Sequence, residues 1–544
     1  MDTYDIFIHN IDIADGSGAP LFKGSVGIRN GKIAKVIRNG AGPDDGDKGA
    51  KDANADGSGK IPGAKTVIEA EKGWILSPGF FDTHNHNDLY PMIDRYERAA
   101  LLQGVTTEIV GNCGQSPAPV APENFQLLAD YLKPLLPYEV DTDLWRSWTT
   151  TGKYLEDIRA MKPVIRREQL VGHGTIRLAV MKMEDRRPTA QEMERMKNYL
   201  REAMEAGAIG LSSGLIYPPG VYSDKEELIE LCKVVREYDG VYSTHMRNES
   251  DGVVEAVREA IDIGRQSGCK VLLSHLKAIG PNGYENAEKI RRLIGEARQE
   301  GIRVINDQYQ YNLSSTTLSV LFPPFALKDG VAACIDRLSE PEYRETLRKN
   351  IEKDLSWENY IRKIGPDKLT VIGAEVTKEC EGKSIARIAA ERGSSVIDTT
   401  FDLLAENRGN AVLALEFCDE ALVEKIFCFP HTAIGCDGIG TGSGQPSHPR
   451  GYCNHVRMFG VYVREKGLVS WEEGVRKCTS LPADFFGLGD RGYVREGLLA
   501  DLVIFDRERI GSQADFSDPF REPEGICYVL TDGVIRVDHG SLIK

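Results

Sequence analysis

His84 and His86 stand one residue apart at the end of the apolar run in PGFFDTHNHND. On a strand, side chains at i and i+2 point to the same face, so both imidazoles can reach one ion at about 2.0–2.1 Å. His245 in VYSTHMRN and His275 in KVLLSHLK end two further apolar runs, 275 − 245 = 30 residues apart, about one strand–helix unit. Cys113, in GNCG, sits among glycines that let the backbone turn sharply. Its thiolate is a soft ligand suited to zinc. Asp437, in IGCDGIG, offers a carboxylate beside such an ion. A bound zinc lowers the pKa of its water to about 7, and an adjacent carboxylate can take that proton and return it to a leaving amine. His84, His86, Cys113, His245, His275 and Asp437 are therefore the expected metal set, with Asp437 as general base and acid. The implied cofactor is Zn2+, and the implied chemistry is metal-assisted hydrolysis of an amide.

Taken singly, each residue has a plainer reading. A strand-end histidine is more often hydrogen-bonded structure than a ligand, and a cysteine among 11 is more often buried filler. Cys232, Cys269 and Cys478, on apparent helices, keep that plainer reading. His173 in VGHGTIR ends an expected strand but lacks a paired ligand, so it either joins the site or merely shapes it. His9, His455 and His539 fall in sheet-hairpin or helical contexts, and His431 lies at the wrong end of its strand.

The elements that must position these residues are legible in the middle of the chain. Amphipathic helical stretches alternate with apolar strand-like runs: TAQEMERMKNYLREAMEAG before AIGLSSG, DKEELIELCKVVREYDG before VYSTHMRN, GVVEAVREAIDIGRQSG before KVLLSHLK, NAEKIRRLIGEARQEG before RVINDQY. Thr189 and Asp224 fit N-caps, and Gly207, Gly240, Gly268 and Gly301 fit helix stops. Repeated strand–helix–strand units mean a parallel sheet. The runs FFDTHNH, TTEIVGNC, QLVGH, AIGLSS, VYSTH, VLLSH, VINDQ and TAIGCDG make eight, the number that closes a (β/α)₈ TIM barrel with its chemistry at the C-terminal strand ends. LTVIGAE falls outside the count and is assigned to a long insertion before the last strand. A doubly wound open sheet is the alternative, but no G-x-G-x-x-G follows the first strand.

The two chain ends carry hairpin signals, VGIRNGKIAKVI turning at Asn-Gly and YVLTDGVIRVDHG turning at Asp-Gly. Such ribbons are unstable alone. Residues 1–75 and 490–544 are therefore expected to form one small β-sandwich flanking a catalytic barrel at 76–489, with two separate terminal domains as the alternative. The Gly-, Asp- and Lys-rich stretch 39–65 reads as a mobile surface loop. The 544-residue chain has a formal net charge of −15, which argues against nucleic acid or an anionic membrane as main partner but leaves room for a local basic pocket. MDTYDIFIHNIDIADG shows no secretory pattern, no apolar run approaches a membrane span, and the 11 cysteines form no C-x-x-C pair. The expected compartment is the cytoplasm. Assembly with further copies of the chain stays open.

With these residues in hand, the sequence resembles the amidohydrolase superfamily: PGFFDTHNH is similar to its first-strand H-x-H signature. GVTTEIVGNCG, GHGTIR, GAIGLSSGLIYPPG, THMRNE, SHLK and RGYVREGLLADLVIFD resemble the N-acyl-D-amino-acid deacylases (D-aminoacylases), in the same order and over nearly the whole chain. The resemblance implies a tightly held zinc on Cys113, His245 and His275 and a second, weaker position at His84 and His86 near Asp437. Related hydantoinases and dihydroorotases use a carbamylated lysine on the fourth strand. AIGLSSG offers none, and Cys113 would take its role. The resemblance also implies substrate contacts from Tyr217 in LIYPPG, Lys277 in SHLK, Tyr309 in DQYQY, Ser315 in LSST and Arg450 in HPRGY. Arg and Lys are natural clamps for a carboxylate, and a tyrosine hydroxyl can polarise a carbonyl. DQYQYN departs from a usually proline-bearing stretch, HNHND is less acidic than the common form, and GCDG has cysteine where serine is frequent.

The expected activity is hydrolysis of small N-acyl-D-amino acids to an amino acid and a carboxylate. The D preference comes from the resemblance alone. The alternatives are a cyclic amide or N-carbamoyl substrate on the same scaffold, or a non-catalytic binding protein whose ligands would have eroded.

Overall fold

The computed structural model describes residues 4–39, 63–136, 139–354, 357–439 and 448–543. Eight strands form one parallel sheet in chain order: β1 Phe80–Asp82, β2 Val105–Val110, β3 Arg166–Gly172, β4 Gly210–Gly214, β5 Val241–His245, β6 Lys270–Leu273, β7 Val304–Gln308 and β8 Thr432–Ile434. Beyond its last residue β8 meets β1. Thr83 N donates to Ile434 O at 3.0 Å, His86 N to Gly438 O at 2.9 Å and Asp437 N to His84 O at 2.6 Å, and Asn85 bridges Gly438 in parallel. The sheet thus closes into a (β/α)₈ barrel, as the count of apolar runs led us to expect. Every strand points the same way, so all eight C-terminal ends face one opening.

Helices Ala190–Glu205, Lys225–Glu237, Val253–Ser267 and Gly283–Gln299 run between consecutive strands and bury one apolar face against them. Thr189 and Glu192 form a capping box, and the Asp224 carboxylate accepts from Glu227 N. Gly207, Gly268 and Gly301 carry positive φ just past their helices. At the opposite end of the barrel, Ile109, Leu170, Val241, Leu272, Ile305 and Ala433 form a cluster closed by Phe485 and Phe486. Full burial of each large side chain contributes about 1.5–3 kcal/mol.

The segment between β7 and β8 carries a three-stranded antiparallel sheet of Leu313–Thr317, Ala411–Glu416 and Leu369–Ala374, in that spatial order. LTVIGAE supplies its last-named strand. This insertion lies against the barrel's C-terminal side: Tyr222 hydroxyl donates to Pro324 O at 3.2 Å, and Glu249 N to the Glu358 carboxylate at 2.8 Å.

Both chain ends join in a separate nine-stranded sheet, in which Trp74–Pro78 from the first part pairs with Leu502–Asp506 from the second. Its Asn30-Gly31 and Asp532-Gly533 turns hold both residues at positive φ, the geometry that matches the twist of a two-residue hairpin. The sheet curls on itself, with Ile33 N donating to Leu498 O at 2.9 Å, and one apolar cluster draws on Ile8, Ile28, Leu76, Leu502 and Leu530 from both ends. Of the 39–65 stretch, residues 40–62 lie outside the described residues. Among the described residues no helix is long and apolar enough to cross a membrane.

Candidate metal centre

The strand ends bring six donors to one buried site. Cys113 Sγ lies 3.3 Å from His84 Nε2, 3.5 Å from His275 Nε2 and 3.8 Å from His245 Nδ1. Asp437 Oδ1 lies 3.6 Å from His84 Nε2 and 3.3 Å from His86 Nε2. All six expected ligands therefore converge, and His84 faces both the thiol and the carboxylate. The four histidines and Cys113 are each 6% exposed or less.

Local backbone explains how the donors are aimed. His84 and His86 follow β1 and continue its alternation. Cys113, His275 and Asp437 instead adopt φ of +53°, +35° and +49°, a region that costs a side-chain-bearing residue about 1–3 kcal/mol and clusters at functional sites. Gly435 is required for a different reason, since a Cβ there would sit 2.6 Å from His84 Cβ.

The donor chemistry suits a divalent ion of borderline softness. Burial holds the His84 imidazole well below its usual pKa and pushes His245 down to about 3, so both offer a neutral lone pair. Burial raises the Cys113 thiol well above its usual range, with the Asp437 charge adding to it. An adjacent cation would reverse that and hold a thiolate. Imidazole nitrogen, thiolate sulfur and carboxylate oxygen are the ligand types of zinc. Asp437 has the opposite balance. Burial alone would raise its carboxyl, but Arg450 and the surrounding imidazoles outweigh it and hold the group well below the carboxylate range.

A second layer fixes the first. Asp82 accepts from His84 N at 3.2 Å, Cys436 N at 2.8 Å and Cys436 Sγ at 2.6 Å, so the cysteine of GCDG keeps the donor that a serine would supply. Asp307, fully buried, accepts from Thr83 hydroxyl at 2.9 Å and from His275 N. Glu249 takes the Lys277 ammonium at 2.9 Å and faces His275 Nδ1 at 3.1 Å.

The expected substrate residues surround this centre unequally. Arg450 Nη2 forms an ion pair with Asp437 Oδ2 at 2.9 Å, and its buried Nε and Nη1 have no hydrogen-bond partner among the described residues. Its guanidinium lies 4.5 Å over the Tyr309 ring, whose buried hydroxyl also lacks a partner among the described residues. Tyr217 stands edge-on to His245, ring centroids 5.1 Å apart. Ser315 sits on the insertion strand, where its carbonyl is 3.5 Å from Arg450 Nη2. Lys277 reaches the site but is already paired with Glu249.

His173 does not join the donors. Its Nε2 is 2.7 Å from Glu227 Oε1, and Arg177 binds the other carboxylate oxygen at 2.6 Å, so it belongs to a buried structural triad. His455 donates Nε2–H to Phe81 O at 2.9 Å, behind β1. Three residues escape a reading of strand ends. Asp82 lies inside β1, and Glu249 lies four residues beyond His245. His448 is buried two residues before Arg450, and its Nδ1 accepts Arg450 N at 3.0 Å. Only the spacing in THMRNE and HPRGY hinted at the last two.

Comparison with known proteins places these features. Residues 67–537 match the model of the family described as "Amidohydrolase family". The chain is 32% identical to an N-acyl-D-glutamate deacylase of Alcaligenes xylosoxydans xylosoxydans, covering 98% of this chain and 93% of that one. It is 30% identical to a D-aminoacylase of the same organism, covering 97% and 94%. The crystal structure of N-acyl-D-glutamate deacylase from Bordetella bronchiseptica, complexed with zinc and a phosphonate mimic of the tetrahedral intermediate, superposes with a TM-score of 0.78 at 31% identity, covering 98% of this chain and 96% of that one.

Proposed function

The chain belongs to the amidohydrolase family, and on that premise we propose that it hydrolyses the amide bond of N-acyl-D-amino acids, releasing the amino acid and a carboxylate. One arrangement carries the reading. Arg450 Nη2 lies 2.9 Å from Asp437 Oδ2, and its buried Nε and Nη1, three N–H groups together, have no hydrogen-bond partner among the described residues. A buried, unsatisfied guanidinium is costly unless an anion completes it, and an N-acyl amino acid carries one carboxylate. The named deacylase relatives support the same substrate class.

The residues that would hold zinc are Cys113 with His245 and His275, 3.8 and 3.5 Å from its sulfur, and His84, His86 and Asp437 are the adjoining set. When bound, the metal supplies an acidified water and polarises the acyl carbonyl. Asp437, ionised throughout the neutral range, takes the proton of the attacking water at Oδ1 and returns it to the leaving nitrogen. Arg450 orients the substrate carboxylate, and the insertion strand bearing Ser315 covers it from bulk water. Burial pushes the Tyr309 hydroxyl up to about 12, so it stays a proton donor toward the substrate.

The test supplies zinc to the full chain and measures amine released from matched N-acetyl-D- and N-acetyl-L-amino acids. Release from D-substrates alone supports the reading. Turnover restricted to hydantoins or other cyclic amides would redirect it to ring opening on the same scaffold.

A further inference from the structure

Glu249 lies behind the candidate donors, within hydrogen-bond reach of His275 and beyond it for His245. Oε1 is 3.1 Å from His275 Nδ1 and Oε2 is 3.8 Å from His245 Nε2. These are the outer ring nitrogens; the inner ones, His275 Nε2 and His245 Nδ1, face Cys113. A ring can present a lone pair on its inner nitrogen only if the outer nitrogen carries the proton. A carboxylate at the outer nitrogen favours that tautomer.

Lys277 pulls the other way. Its ammonium lies 2.9 Å from His275 Nδ1 as well as 2.9 Å from Glu249 Oε1. An ammonium is a donor only, so if it bonded to Nδ1 the ring proton would move to Nε2, the nitrogen facing Cys113. That tautomer is no ligand. Glu249 Oε1 lies 2.9 Å from Nζ and 3.1 Å from Nδ1, and its negative charge favours the proton on Nδ1. Its own backbone is pinned by the insertion, since Glu249 N donates to Glu358 Oε1 at 2.8 Å and Tyr360 hydroxyl holds the other Glu358 oxygen at 3.1 Å.

We propose that Glu249 is a positioning residue that sets the tautomer of His275, and that it does so against Lys277. The inference rests on reading His275 as a metal ligand. Glu249→Gln keeps the shape but loses the carboxylate, leaving Lys277 to donate to His275. Loss of such an outer partner typically weakens metal binding by about 10–100-fold. Lys277→Met alone should leave zinc affinity within about threefold, because Glu249 then holds Nδ1–H uncontested. The double variant should regain most of the affinity lost in Glu249→Gln.

The experiment titrates zinc into metal-stripped full-length protein against a competing chelator, for the unaltered chain, both single variants and the double. It repeats the series with cobalt to read the ligand-field spectrum. A loss in Glu249→Gln that Lys277→Met relieves supports the tautomer contest. Equal affinity in Glu249→Gln, or a loss that Lys277→Met leaves untouched, overturns it while the metal reading stands. No zinc binding by the unaltered chain overturns both.

Discussion

Cys113 and His84, 29 residues apart in the chain, bring Sγ and Nε2 to 3.3 Å of one another inside the barrel mouth. Two polar groups buried at that distance, with two further imidazoles against the same sulfur, are stable together when a cation sits among them.

Cys113→Ser tests that relationship. It exchanges a soft donor for a hard, barely acidic one. Zinc affinity should fall by more than the roughly 10–100-fold typical of an outer partner, with hydrolysis falling in parallel. Metal content after dialysis against a weak chelator is the readout, and retention of stoichiometric zinc would contradict the assignment.

Asp437→Asn separates proton transfer from metal retention. The amide keeps a coordinating oxygen but cannot accept a proton. We expect kcat to drop by about 10²–10⁴-fold, the usual worth of a general base, while the protein still carries zinc. Paired metal analysis and steady-state kinetics decide it; near-normal kcat removes Asp437 from the proposed role.

Arg450→Lys addresses substrate recognition. A lysine cannot reproduce a planar fork shared between Asp437 and a substrate carboxylate. Loss of one charge-assisted pair, about 1.5–3 kcal/mol, corresponds to KM rising by about 10–100-fold with zinc content unchanged. A KM that does not move would place the carboxylate clamp elsewhere.

His455 gives a pH signature away from the donors. Burial holds its pKa near about 4, with its hydrogen bond to Phe81 O only partly compensating, whereas the unfolded ring titrates near about 6.5. Between these values the unfolded chain binds the extra proton. Stability contributed by the neutral ring is complete above about pH 6.5 and is lost as pH falls, by up to ~1.4 kcal/mol per unit. His455→Gln should flatten the dependence of the denaturant midpoint on pH between about 4.5 and 6.5. An unchanged slope would show that this ring does not drive it.

Much of this molecule is legible in its sequence. Period-two and period-3.6 patterning separates strands from helices, and Thr189, Asp224 and the Asn30-Gly31 turn are local signals that need nothing from the rest of the fold. Because a parallel barrel sends every strand end to one rim, strand-end histidines, Cys113 and Asp437 identify a shared centre from sequence position alone. What only the tertiary structure decided is which partner each group meets. His173 directly follows a strand as His245 ends one, yet Glu227 from a neighbouring helix and Arg177 from its own claim it. Lys277 carries the charge expected of a substrate clamp, yet Glu249 takes that charge up at 2.9 Å. The physical reason is common to both. A residue's period places it on a face, but the protonation state and direction of a buried side chain follow from neighbours tens to hundreds of residues away.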